Sequence, residues 1–85
     1  MLDINPKRKK ILDKSKHYPY SLKDFSHHEH VTFIWEDGEE RDGIIHIIDR
    51  YGTDFCHGIC PSFDILVENE DTIYKHIPMV DVKKK

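Results

Sequence analysis

The sequence predicts a single, mainly β domain of five short strands, preceded by a short basic arm. Three observations carry this reading. The chain has 85 residues, of which 38% are hydrophobic and 11% aromatic, enough for one small core. From His30 onward, apolar residues recur at every second position, the period of a strand with a covered face. Turn-forming residues separate these stretches, at Asp37-Gly38, across the Gly- and Pro-containing residues 51–61, and at residues 68–71.

Residues 1–16 hold six cations against two acids. Asn5-Pro6 reads as an N-cap followed by a proline at the first helical position, which predicts about two helical turns over residues 7–14. Only Ile11 and Leu12 are apolar there, and so short a helix is marginal in water. The arm is therefore expected to be helical or disordered, solvated, or laid against a polyanion or the acidic body.

Residues 17–29, HYPYSLKDFSHHE, supply four anchors in Tyr18, Tyr20, Leu22 and Phe25. Ser21 with Asp24 three places later fits the cap of a single turn. This lead-in is expected to pack its aromatics on the sheet. In HVTFIWEDG, Val31, Phe33 and Trp35 share one strand face, and Thr32 and Ile34 take the other. A second strand runs through Gly43-Ile44-Ile45-His46-Ile47-Ile48, with a bulge or bend suggested by the glycine. His46 shares parity with Ile44 and Ile48 and is expected to be partly buried with a hydrogen-bond partner. SFDILVE alternates again through Phe63, Ile65 and Val67, and TIYKHI places Ile73 and Ile77 inward. Pro78 stops that strand, and MVDV accommodates one helical turn and a short last strand.

The order of these elements resembles an SH3-like small β-barrel, in the broad sense that includes Tudor and KOW domains. HVTFIWEDG, GIIHII, SFDILVEN and YKHIPMVDV carry the resemblance over residues 30–82. The chain is also similar to small uncharacterised SH3-like proteins of Gram-positive bacteria and their prophages. The resemblance implies a five-stranded barrel, placed over residues 17–82 with its aromatic lead-in, while charge sets off the arm at residues 1–16 and a basic tail at 83–85. An SH3 domain that reads proline-rich peptides has aromatics in its first long loop, where this chain has the acidic EDGEERD. A KOW-type RNA contact would need basic loops. A Tudor-type cage for methylated cations would need aromatic faces to converge, with Trp35, Tyr51, Phe55 and Tyr74 as the candidates.

Charge is the strongest functional signal. Residues 17–82 hold fourteen acids against Lys23, Arg41, Arg50 and Lys75, and three lysines end the chain. Nucleic-acid binders usually place positive charge on the folded body. Glu36, Asp37, Glu39, Glu40 and Asp42 put five acids into seven residues. These are either a solvated hairpin tip or a docking surface for a basic partner, since clustered negative charge steers association. The calcium-loop spacing DxDxDG is absent.

Cys56, His57 and Cys60 offer at most three of the four ligands of a structural zinc site, so no metal and no cofactor are expected. His27, His28 and His30 read as a polar entry to the first strand, or as groups that respond near pH 6.5. No phosphate-binding glycine loop and no HExxH motif is present, and the adjacent Cys56 and His57 do not make a nucleophile–base pair, so no enzyme is expected. No apolar run approaches ~18 residues and no apolar stretch follows the basic start, so neither a membrane span nor a secretory signal is expected. The chain is read as cytoplasmic with reduced thiols. The favoured function is a non-enzymatic protein-binding module or small regulator. It would dock on a basic partner surface through Glu36, Asp37, Glu39, Glu40 and Asp42 together with Tyr51, Asp54 and Phe55. The alternatives are nucleic-acid binding through the arm and the terminal lysines, or a metal- or thiol-dependent protein built on CHGIC.

Overall fold

A computed structural model describes residues 5–8, 20–51 and 61–85. Five strands form one antiparallel sheet: β1 (His30–Ile34), β2 (Glu40–Asp49), β3 (Ser62–Val67), β4 (Thr72–Pro78) and β5 (Val82–Lys84). Their spatial order is β4-β3-β2-β1-β5. Three single 3₁₀ turns, at Leu22–Asp24, Glu68–Glu70 and Met79–Asp81, complete the described structure. Among the described residues, no helix is long and apolar enough to cross a membrane.

The expected turn chemistry is present. Gly38 takes φ 84°, where a side chain is disfavoured, and its N–H donates to the Trp35 carbonyl at 2.9 Å to close the β1–β2 hairpin. Asp24 accepts the Ser21 N–H at 2.8 Å and fixes the lead-in turn. Phe25 then enters the core, edge-on to Phe63 at 5.1 Å, with Tyr20 edge-on to it at 5.5 Å. The core comprises Phe25, Val31, Phe33, Ile45, Phe63, Ile65, Val67, Tyr74, Ile77 and Val82. Phe33, Phe63, Ile45, Ile65 and Ile77 are wholly inaccessible to solvent.

Two bulges shift the strict alternation. On β2, Ile45 faces Ile65 and Ile47 faces Asp64, which leaves His46 as the extra residue. Parity reverses there, so Ile45 and Ile48 turn inward while Ile47 is 48% exposed. His46 is exposed, contrary to the partly buried position expected of it. On β4, Phe63 faces Ile77 and Ile65 faces Tyr74, so Lys75 and His76 together oppose Asp64. His76 takes φ 62°, and its N–H donates to Asp64 Oδ1 at 3.0 Å. The inward pair on β4 is therefore Tyr74 and Ile77, with Ile73 only half-buried.

No bulge falls at Gly43, since the register shift of β2 lies between Ile45 and Ile47. A Cβ at Gly43 would lie 2.5 Å from Ile65 Cγ2 and 2.8 Å from the Leu66 carbonyl oxygen. The missing side chain lets β2 cross closely over β3, at the point where its pairing passes from β1 to β3.

Residues 5–8 do not begin a helix. They lie along the outer edge of β4, where Lys7 bridges Lys75 in parallel. The Lys75 N–H donates to the Pro6 carbonyl, and the Arg8 N–H donates to the Lys75 carbonyl, both at 2.8 Å. Asn5, read above as a helix cap, instead accepts the Ile73 N–H at 3.2 Å. The physical reason lies in β4. The amides of Ile73 and Lys75, two apart on this edge strand, both face the sheet's outer edge, and the passing segment satisfies them. Arg8 then enters the protein and is 2% exposed. Its guanidinium donates to the Ile34 carbonyl at 2.7 Å and pairs with Asp81 at 2.6 Å, both side chains being fully buried. Lys83 and Lys84, grouped above with Lys85 as a tail on charge alone, lie in β5 and pair with β1.

Candidate docking surface

The acids of the β1–β2 hairpin are held in place by short-range chemistry. Asp37 accepts both nitrogens of the Arg41 fork, at 3.1 and 2.9 Å, and the Glu39 N–H at 3.0 Å. The Arg41 contact, then that N–H, draws its carboxyl down to about 2 from the ordinary 3.8. Arg41 is held more firmly protonated by the same contact. Its guanidinium carbon also stands 5.5 Å from the Tyr74 ring centre. Tyr74 in turn meets Trp35 edge-on at 4.8 Å. Burial, then a hydrogen bond to Glu70, raises the Tyr74 phenol. Asp42 accepts the Thr32 hydroxyl at 2.7 Å and pairs with Lys85 at 3.2 Å, and these two contacts lower its carboxyl.

The terminal lysines pair with three carboxylates of the body. Lys83 pairs with Glu40 at 2.8 Å, Lys84 with Glu29 at 3.0 Å and Lys85 with Asp42 at 3.2 Å. Register explains this. Thr32 pairs with Asp42 on one side and with Lys83 on the other, so a basic β5 lies one strand away from an acidic β2.

Glu36, Asp37, Glu39, Glu40 and Asp42 are thus brought together at one end of β2. Tyr51 is 84% exposed just beyond the other end of that ten-residue strand, and so is not part of the hairpin cluster. Asp54 and Phe55 lie outside the described residues, as do Cys56, His57 and Cys60. Two of the four cage candidates, Trp35 and Tyr74, do converge, and the cation against Tyr74 is the chain's own Arg41. Among the described residues, no group of three or more His, Cys, Asp or Glu side chains is placed to hold a metal ion. The His27 and His28 ring centres stand 6.5 Å apart.

Sequence reasoning missed Arg8 and Asp81, which lie 73 positions apart and looked like surface charges. It also missed the pairing of the terminal lysines. No protein-family model, no curated protein and no solved structure matches the chain.

Proposed function

We propose that the chain is a non-enzymatic protein-binding module of SH3-like type, a small regulator that docks on a basic surface of a partner through its acidic hairpin. The strand order β4-β3-β2-β1-β5, a long β2 shared between β1 and β3, and a single turn before β5 support the SH3-like reading. The observation that carries the function is the state of the positive charge. Arg8 is buried against Asp81, and Lys83, Lys84 and Lys85 each pair with a carboxylate. Exposed pairs hold only about 0–1 kcal/mol each, so a phosphate could break them. It would then face the released carboxylates within a Debye length, roughly 8 Å at physiological salt. Phosphate binding through Arg8 and these lysines is therefore disfavoured against docking by the hairpin. There Asp37, Glu40 and Asp42 would exchange their exposed pairs with Arg41, Lys83 and Lys85 for a basic partner at the same small cost. The fourteen acids against four cations of residues 17–82 favour a cation over a phosphate.

The experiment compares two labelled probes, a lysine- and arginine-rich peptide and a mixed DNA pool, at about 150 mM salt. The basic peptide is expected to bind, and the Glu36→Lys/Glu39→Lys variant to weaken it by about tenfold or more. DNA binding at micromolar or tighter affinity that survives this charge reversal would make the nucleic-acid reading correct instead.

A further inference from the structure

The lead-in turn and the far end of β2 enclose a cavity of about 590 Å³, well away from the hairpin. Its floor is apolar. Phe25 belongs to the core, and Leu22 and Ile48 pack half-buried against it. Its rim carries the exposed Lys23 and Arg50, with His27 beside them. Two of the four cations of residues 17–82 therefore stand at one cavity.

None of its described lining residues is an acid, in a chain that has 16. The neighbouring carboxylates are engaged locally. Asp24 accepts the Ser21 N–H at 2.8 Å, and Asp49 accepts the Tyr51 N–H at 3.0 Å. Glu29 accepts the Ser26 N–H at 3.0 Å and pairs with Lys84.

The backbone adds a second element. On this side of β2, bonding reaches Ile45, whose N–H donates to the Glu29 carbonyl at 3.0 Å and whose carbonyl accepts the His28 N–H at 2.8 Å. The pairing with β1 goes no further than His30 and Ile44. From Ile47 to Asp49, β2 keeps β3 on one edge, and no strand pairs with the other among the described residues. A sheet receives an extended chain through an open strand edge and pockets for its alternate side chains, and here a cationic rim adds a preference for acidic ones.

We propose that this cavity receives an extended acidic segment of a partner protein. An apolar side chain of that segment sits on Phe25, Leu22 and Ile48, its carboxylates pair with Lys23 and Arg50, and its backbone continues the sheet along β2. Charge complementarity selects this occupant, because an anion here meets two cations and, among the described lining residues, no carboxylate. The site stands apart from the hairpin and does not rest on the function assigned to it.

The test is a fluorescence anisotropy titration with a labelled peptide of alternating glutamate and valine. Saturable binding is expected, with about tenfold or greater loss in the Lys23→Glu/Arg50→Glu variant, whose melting curve confirms the fold. A peptide with serine for valine should bind several-fold less tightly. The Glu36→Lys/Glu39→Lys variant should bind within about threefold of the parent, which separates this site from the hairpin. Equal binding of a lysine–valine peptide, indifference to the double charge reversal, or failure to saturate would overturn the proposal. Displacement of the peptide by equimolar inorganic phosphate or by single-stranded DNA would also overturn it, by showing an anion or nucleic-acid site instead.

Discussion

Replacing Arg8 by Met should destabilise the protein by a large fraction of its total stability. Both side chains of the Arg8–Asp81 pair are fully buried, and one guanidinium nitrogen also satisfies the Ile34 carbonyl. Asp81 Oδ1 already has no hydrogen-bond partner. Removing Arg8 thus leaves a buried carboxylate with neither of its oxygens satisfied by that partner. Breaking such a pair from one side costs about 3–5 kcal/mol. A domain of 85 residues has about 4–13 kcal/mol in total, at about 0.05–0.15 kcal/mol per residue. With an m-value of about 1–1.5 kcal/mol/M, the urea midpoint should fall by about 2–5 M. Trp35 is the single tryptophan and packs against Tyr74, so its fluorescence reports the transition. The Arg8→Met/Asp81→Leu double variant should recover most of the loss, because an apolar pair of similar volume leaves no buried charge. A single variant unfolding within about 0.3 M of the parent would place Arg8 among ordinary surface residues and refute the docking of residues 5–8.

Gly43→Ala should cost about 1–3 kcal/mol and lower the melting temperature by about 5 °C or more, because its Cβ would meet buried Ile65 and the Leu66 backbone. An unchanged melting temperature would contradict the close crossing of β2 over β3. Asp37→Asn should remove about 0.2–1 kcal/mol at neutral pH, the range of an exposed pair. Because the folded state holds the Asp37 carboxyl at about 2, below its ordinary 3.8, that stabilisation is complete above 3.8 and disappears as pH falls through about 2. Urea midpoints of parent and variant should accordingly converge in acid, and a gap that persists below pH 2 would exclude the Arg41 contact as its source.

β1 and β3 were legible because each carries a period-two run bounded by turn residues. Val31 and Phe33 on β1, and Phe63, Ile65 and Val67 on β3, sit in the core as alternation requires. The faces of β2 and β4 could not be read from a single parity, since one inserted residue reverses it. Ile77 faces inward as expected, but Tyr74 rather than Ile73 joins it across the β4 bulge, and Ile45 joins Ile48 across the β2 bulge. Nothing in the local pattern marks such an insertion. The acidic hairpin could be read directly, but its pairing with Lys83 and Lys85 depends on β5 lying beside β1, a long-range fact. Arg8 was read with its neighbouring lysines as part of an arm either solvated or laid against the acidic body, and only the fold singles it out for a buried carboxylate.

The Arg8–Asp81 contact also orders events in time. Chains emerge from synthesis N-terminal end first. Val31 and Phe33 are therefore made long before Val82 and Lys84, their partners across β1, and Arg8 long before Asp81. Until residues 81–84 are free, β1 keeps an unpaired edge on that side and the guanidinium has no counter-charge. The Arg8–Asp81 contact closes a loop of 73 positions, the kind of remote contact that slows folding. Nascent chains halted before residue 81 should remain sensitive to protease, and those that expose residue 85 should become resistant.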